Sequence, residues 1–390
     1  MIIETLKLKD FRNYEALTLT PHPGVNLLFG QNGSGKTNLL EAVHYCALGR
    51  SHRTSQDMEV VRKGAEAAAV GVTVRKADGR HDTAIRLTPG ETKKKHVMLD
   101  GKRAARLSDM MGRLQCVIFS PEDLMLVKDG PSVRRRFLDM MLSQLSTSYF
   151  LALQQYQKAM EQRNALLRDA KKGARIDYGM LEAFEQGMAA PCDVIIKERQ
   201  RMLDVLTDCA GRKYQQISGR AAEPFTMRYA CCVEQTEHIP ELVMQRLKQS
   251  RQEDLYRGTT GFGVHREDIL LTLMDRDMKL FASQGQMRTA ALSIKLAQLS
   301  VFRDVTGEAP VLLLDDVMSE LDMNRRTRLL DEISGVQTFI TCTDASDLEG
   351  SLEKRSYQVR MQKTMTAEIK SISEGESYEI FEEDEDPDFT

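Results

Sequence analysis

Short apolar segments with a period of two open the chain. Leu6 and Leu8 alternate with lysines, and Leu17 and Leu19 alternate with threonines, which predicts two half-buried strands. Residues 24–29 form a more continuous apolar run, a buried strand by this pattern, and lead into a glycine-rich loop. Over 37–48 the apolar residues Leu39, Leu40, Ala42, Val43, Cys46 and Ala47 fall on nearly all sides of a helix, which predicts a buried one stopped by Gly49. Asp78-Gly79 and Asp100-Gly101 lie between alternating segments and predict hairpin turns. The first part therefore reads as an antiparallel sheet beside the glycine-rich loop, followed by a short buried strand at 116–119.

The texture changes beyond Pro131. Residues 132–255 are rich in Leu, Met, Gln, Arg and Ala at helical spacing, with breaks expected at Gly173, Pro191 and Pro224. Met140 and Met141 fit a core stripe there. Short strands return from Gly261, with strongly apolar runs at 311–314 and 338–341. The order is α/β, helical, α/β. It predicts one α/β head built from 1–130 and 256–365, split by an inserted helical lobe at 131–255, with an acidic, disordered tail at 366–390.

Composition adds constraints. A chain of 390 residues, 42% hydrophobic and 28% charged, suits two or three soluble domains. No run of apolar residues is long enough to span a membrane, so no membrane partner is expected. The first residues lack the pattern of a signal peptide. Seven cysteines with no CxxC pair predict reduced thiols in a cytoplasm, and the adjacent Cys231 and Cys232 are poorly spaced for zinc. The net charge of −3 argues against a polyanionic partner until its distribution is considered. Nine acidic and no basic residues lie in 374–390. Without them, 54 basic residues face 48 acidic ones, and the body carries +6. That permits DNA binding without demonstrating it.

Three constellations carry chemistry. Gly30-Gln31-Asn32-Gly33-Ser34-Gly35-Lys36-Thr37 matches G-x-x-x-x-G-K-[ST] between a predicted strand and a predicted helix. The glycines let backbone N–H groups converge on phosphate oxygens, the lysine reaches the β- and γ-phosphates, and the threonine hydroxyl ligates Mg²⁺. A chance match in a chain this long is on the order of one in a hundred. Such a loop needs a carboxylate at the end of a neighbouring strand. The run 311–314 ends in Asp315, the Mg²⁺ candidate, and Asp316, the candidate for polarising the attacking water. Roughly 280 residues separate Lys36 from Asp315, far more than in a small GTPase or nucleotide kinase. Third, Ser283-Gln284-Gly285-Gln286 precedes a helix whose Ala290, Ile294, Ala297 and Val301 share a face, and such a turn can hold an anion. By itself it would be an ordinary helix cap.

Together the three resemble the ATP-binding cassette superfamily, with 283–286 similar to its signature motif and Ser319-Glu320-Leu321-Asp322 to its D-loop. Leu8-Lys9-Asp10-Phe11-Arg12-Asn13-Tyr14, the loop continued through Asn38-Leu39-Leu40-Glu41-Ala42, Phe119-Ser120-Pro121-Glu122-Asp123-Leu124, Gly263-Val264-His265-Arg266-Glu267-Asp268 and 314–322 narrow this to a resemblance to the RecF family, compact relatives of SMC ATPases. It runs from residue 1 to about 345 and is least distinct in the helical lobe. Val264 stands where proline is expected, and Met287 where a second glutamine is usual. The acidic tail is an extension without a counterpart.

The resemblance implies an ATP-dependent homodimer joined head to head around two ATPs. Ser283, Gly285 and Gln286 would contact the γ-phosphate bound by the other subunit, and Arg12 would touch the nucleotide's phosphates. It implies slow, DNA-stimulated ATP hydrolysis that gates DNA binding at single-/double-strand junctions, without sequence preference. In recombinational repair and replication restart, the protein would help load the recombinase at gaps together with RecR and RecO. The alternatives are another SMC-like head in chromosome maintenance, which usually needs a coiled coil absent here, and a transporter subunit. The latter would normally carry Leu-Ser-Gly-Gly-Gln in place of Ala-Ser-Gln-Gly-Gln.

Several residues have two readings. Arg12 could equally be a solvated strand-end arginine, Asn38 could orient a phosphate or lie on plain helix surface, and His52 and Arg53 could serve the nucleotide or only a loop. His265-Arg266 has a functional look without a defined role. Lys93-Lys94-Lys95 and Arg134-Arg135-Arg136 are the densest basic runs, either sequence-blind phosphate contacts or solvated faces.

Overall fold

The computed structural model describes residues 1–379 apart from 55, 91–93, 221, 234–236, 345–353, 362–366 and 374–375. Two compact units divide the chain, one made of Met1–Asp123 with Lys295–Thr390, the other of Leu124–Ile294.

In the first unit, β1 (Ile2–Phe11), β2 (Tyr14–Leu19), β4 (Ala68–Lys76), β5 (Gly79–Leu87), β6 (Lys95–Leu99) and β7 (Lys102–Arg103) form an antiparallel sheet in the order β2-β1-β4-β5-β6-β7. Leu6 pairs with Leu19 and Leu8 with Leu17, so the alternating leucines share the buried face. Asp100 and Gly101, both left-handed at φ 50° and 71°, close the β6–β7 hairpin as expected from Asp-Gly. The other turn is shifted by one residue. Lys76 pairs with Gly79, so Ala77-Asp78 form the loop and Gly79 opens β5.

The second sheet of this unit carries the glycine-rich loop. Its order is β16-β15-β14-β3-β13-β12-β8, built from β3 (Val25–Phe29), β8 (Cys116–Phe119), β12 (Val311–Asp315), β13 (Thr338–Cys342), β14 (Lys354–Met361), β15 (Ala367–Ser373) and β16 (Glu376–Glu379). The strands from β14 to β8 are parallel, and β3, β13, β12 and β8 are nearly continuous in apolar residues, the pattern of a sheet covered on both faces. Val311, Leu312, Leu313 and Leu314 are fully buried, each contributing roughly 1.5–3 kcal/mol of apolar burial. Helix α1 (Lys36–Leu48) is buried over nearly its whole surface and ends on left-handed Gly49.

The second unit holds α2 (Met125–Lys128), α3 (Pro131–Leu145), α4 (Thr147–Lys171), α5 (Tyr178–Ala189), α6 (Cys192–Ser218), α7 (Ile239–Arg257) and α8 (Met278–Phe281). It also contains a three-stranded sheet in the order β11-β10-β9, from β9 (Phe225–Ala230), β10 (Asp268–Leu273) and β11 (Arg276–Asp277). Helix α9 (Gln284–Thr306) contains the division between the units, and α10 (Met323–Glu332) belongs to the first.

Two expected boundaries move. The unit Leu124–Ile294 is longer than the lobe expected at 131–255, because β10 and β11 pair with β9 and not with the strands of the head. Alternation identifies a strand but does not name its partner. The tail expected to be disordered from 366 instead begins with β15, which pairs with β14 and buries Ala367 and Ile369. Counting acidic residues hid that short period-two segment.

The lobe's interior is charged. Arg163, fully buried, donates to Asp254 Oδ2 at 2.8 Å, Thr260 Oγ1 at 2.9 Å and Glu185 Oε1 at 3.1 Å, and Arg251 reaches the same Glu185 at 2.6 Å. Arg199 joins Tyr149, Asp139, Glu267 and the Val264 carbonyl at 2.7–3.0 Å. Arg134 grips Asp268 with two bonds of 2.8 and 2.9 Å and caps the carbonyls of Leu126 and Asp129.

Candidate nucleotide site

The glycine-rich loop is shaped by what packs against it. Gly30, at φ 148°, sits so that a Cβ would fall 2.2 Å from the Val359 carbonyl oxygen, so β14 excludes any side chain there. From the other side the β1–β2 turn braces the loop. Asn13 Nδ2 donates to the Ser34 carbonyl at 3.2 Å and Tyr14 Oη to the Gly35 carbonyl at 3.1 Å. Asn38 Nδ2 donates to Asn13 Oδ1 at 2.7 Å.

Lys36 folds back on its own loop, with Nζ donating to the carbonyls of Gly30 at 2.6 Å and Gln31 at 2.9 Å. Burial pulls its ammonium below the ordinary lysine value, against the opposing pull of Cys342, Asp316 and Asp315. The carboxylate predicted to lie far away in sequence is in contact. Thr37 Oγ1 and Thr341 Oγ1 both donate to Asp315 Oδ1 at 2.8 Å. Burial raises the Asp315 carboxyl, and the two hydroxyls act in the opposite direction. Asp316 follows in a left-handed conformation, φ 54°, with its backbone N–H bonded to Thr341 Oγ1 at 2.9 Å. Asn32, Gly33, Gly35, Lys36, Thr37, Asn38, Arg53, Asp315, Asp316 and Thr341 line a cavity of about 280 Å³.

These residues fit a polyphosphate with a divalent cation. The buried Ser34 hydroxyl has no hydrogen-bond partner among the described residues. Among the described residues Lys36 is held by loop carbonyls that it can leave, and Thr37 and Asp315 offer hard oxygen donors side by side. The loop's glycines leave backbone N–H groups accessible at the start of α1.

Arg12 is placed differently from a free phosphate ligand. Its Nε and Nη2 hold Glu41 with bonds of 2.8 and 2.6 Å, and Nη1 donates to the Glu59 carbonyl at 2.7 Å. Glu41 is fully buried. Although burial opposes it, bonding to Arg12 and Ser51 holds its carboxyl below the usual range. Arg53 reaches Asn38 Oδ1 at 2.8 Å and Glu41 at 3.4 Å. His52 stacks edge-on against His44, ring centroids 4.9 Å apart.

Ser283, Gly285 and Gln286 lie in the other unit, exposed or half-buried at the start of α9. The Ser283 N–H donates to Gln286 Oε1 at 2.9 Å and the Gln286 N–H to Ser283 Oγ at 3.3 Å, a reciprocal cap. Met287 points inward and is buried, which accounts for an apolar residue where glutamine was expected.

The motif with an undefined role is architectural. His265 Nδ1 accepts from Tyr156 Oη at 2.6 Å, and Nε2 donates to the Thr260 carbonyl at 3.2 Å, fixing a neutral ring. Burial pushes its pKa down to about 4. Gly263 is obligatory because a Cβ would meet Tyr156 Oη at 2.3 Å. Two of the three arginines at 134–136 turn inward, Arg134 to Asp268 and Arg135 to the Glu267 carbonyl at 2.5 Å. Lys93 lies outside the described residues, and Lys95 is tied to Asp57 at 2.6 Å and to the Gly49 carbonyl.

Sequence reasoning missed Thr341, whose only signal was a hydroxyl at the end of the predicted strand 338–341. It noted Glu41 inside a motif without a role, and the structure makes that residue the anchor for Arg12, Ser51 and Arg53.

Comparison with known proteins agrees with this geometry. The family model described as RecF/RecN/SMC N terminal domain matches residues 2–368. The protein of Ruminiclostridium cellulolyticum named DNA replication and repair protein RecF is 39% identical over 361 residues, covering 91% of this chain and 96% of its own. One of the same name from Acetivibrio thermocellus is 40% identical over 349 residues, covering 88% and 94%. A solved structure of the recombination mediator protein RecF-ATP in the RecFOR pathway superposes with a TM-score of 0.84 at 35% identity, covering 95% of this chain and 98% of that one. An SMC head bound to the C-terminal winged-helix domain of ScpA, at TM-score 0.56 and 16% identity, shares the fold.

Proposed function

The chain belongs to the RecF family of SMC-type ATPases, and from that premise we propose that the cavity beside Lys36 binds and hydrolyses ATP to gate DNA binding in recombinational repair. The observation that carries this reading is the meeting of Thr37 and Thr341 on one oxygen of Asp315, at the mouth of the phosphate loop.

On this reading Lys36 leaves the carbonyls of Gly30 and Gln31 for the β- and γ-phosphates, and the Ser34 hydroxyl gains a partner there. Gln31, Asn32, Gly33 and Gly35 cradle the phosphates with backbone N–H groups. Thr37 and Asp315 would hold Mg²⁺, which when bound neutralises charge on the phosphates. Asp316, held in its turn by Thr341, accepts a proton from the attacking water. Asn38, fixed by Asn13 and Arg53, orients the γ-phosphate side of the cavity. Arg12 acts as a positioning residue through Glu41.

Ser283 and Gly285, both exposed, and the half-buried Gln286 serve the nucleotide of a second copy, so hydrolysis requires an ATP-dependent homodimer. The DNA is bound at single-/double-strand junctions by backbone contacts, with weak hydrolysis that DNA stimulates, and with RecR and RecO as cytoplasmic partners. No helix among the described residues is long and apolar enough to cross a membrane.

Ser283→Arg tests the paired arrangement. The substitution leaves the phosphate loop untouched, so ATP should still bind with near-native affinity. Sedimentation with a non-hydrolysable analogue should show a monomer where the unaltered protein dimerises, and turnover should fall with assembly. A Ser283→Arg protein that dimerises normally on the analogue overturns the role of this turn across the interface.

A further inference from the structure

The end of the β9–β10 ladder carries a cluster that the nucleotide site does not use. Cys231 and Cys232 follow β9 directly, and Glu267 immediately precedes β10. Ala230 pairs with Asp268, so the ladder itself brings the dithiol opposite the carboxylate. Cys231 Sγ lies 3.4 Å from Glu267 Oε1, and the Cys232 N–H donates to that same oxygen at 3.1 Å. One ligand atom from each of the three side chains falls within 4.8 Å of the others. Both cysteines are half-buried and free, so solvent can reach them.

We propose that Cys231, Cys232 and Glu267 form a zinc site that staples the open end of this small sheet. Ligand atoms around tetrahedral zinc, with Zn–S near ~2.3 Å and Zn–O near ~2.1 Å, lie roughly 3.5–3.8 Å apart, within easy adjustment of the spacing seen. Two thiolates and a carboxylate select zinc over the hard cations Mg²⁺ and Ca²⁺. The fourth position is left to water.

The surroundings orient the donors. Glu267 Oε2 is held by Arg199 Nη1 at 2.7 Å and by the Tyr229 hydroxyl, which turns Oε1 toward the thiols. Metal-binding carboxylates are fixed by hydrogen bonds of this kind. The spacing of adjacent cysteines concealed the site in the sequence, because the third ligand arrives from 35 residues away through strand pairing.

The test uses the full chain, stripped of metal, nucleotide-free and saturated with Mg²⁺ so that Thr37 and Asp315 do not contribute. Cobalt titration should give one equivalent with thiolate-to-cobalt charge-transfer absorption, displaced by zinc, and zinc should raise the melting temperature. Cys231→Ser and Cys232→Ser should each remove the absorption and the zinc-dependent shift while keeping wild-type ATP affinity and circular dichroism. Cys209→Ser should retain both. Tyr229→Phe should keep the stoichiometry but weaken binding about 10–100-fold, since it loosens only the orientation of Glu267. Cobalt or zinc binding unchanged in Cys231→Ser, or no stoichiometric uptake by the unaltered protein, overturns the proposal.

Discussion

The phosphate loop and the lobe's interior are both dense in charged and polar groups, and they use them in opposite ways. Around Lys36 the contacts are provisional. The ammonium rests on loop carbonyls, the Ser34 hydroxyl is buried without a partner among the described residues, and Asp315 and Asp316 face a cavity. Around Arg163 and Arg199 the charges are closed on one another, each guanidinium meeting carboxylates inside the unit. A buried ion pair contributes little compared with an apolar core of the same shape, yet breaking one half is costly. Charge that binds a ligand is thus recognised by what it still lacks, and charge that builds a core by what it already holds.

That contrast can be broken from either side. The largest effect is expected at Asp316. Asp316→Asn keeps the shape and loses the negative charge, so turnover should fall about 10²–10⁴-fold while ATP binding persists. Single-turnover hydrolysis measures this, and an unaltered rate would move the base elsewhere. Arg163→Met should behave in the reverse way. It strands Asp254 in the lobe interior and leaves Glu185 to Arg251 alone, and should cost roughly 3–5 kcal/mol in denaturant unfolding. A loss under about 1 kcal/mol would mean that the network is not closed as described.

A smaller effect sharpens the comparison through pH. His265 has a folded value of about 4 against about 6.5 unfolded, so the unfolded chain binds the proton first on acidification. Stability from this residue is fully present above about pH 6.5 and is lost as pH falls toward 4. Arg266 and Arg135 disfavour the charged ring, and Asp254 favours it. Between pH 7 and 5 the loss should be about 2 kcal/mol. His265→Asn should flatten that slope, and an unchanged slope would assign the acid sensitivity to other groups.

The head was legible wherever chemistry and local pattern fall in one run of residues. Gly30–Thr37 by spacing, the strand ending in Asp315 by its four apolar residues and α1 by its all-round apolarity needed no partner to be read. The lobe's limits were not, because β10 looks like any head strand until its pairing with β9 is seen. Arg12 read as a phosphate contact or a solvated strand end, and the arginines at 134–136 as DNA contacts or a solvated face, since a sequence does not show that Glu41 and Asp268 wait for Arg12 and Arg134. His265-Arg266 was visible as a motif, but its role depends on Tyr156 and Thr260, which reach it only through helix packing and a loop. Cys231-Cys232 is the same lesson, with Glu267 supplied by the ladder.

The central claim is that the groups around Lys36 wait for a nucleotide and are not needed to hold the fold. Calorimetry of ATP binding to Lys36→Ala, run beside thermal unfolding of the same protein, tests it most directly. Losing the charge-assisted bonds to the phosphates should weaken binding by about 1.5–3 kcal/mol or more. The melting temperature should stay within a few degrees, a shift of less than about 1 kcal/mol for a chain of this size. ATP bound with unaltered affinity would contradict the account.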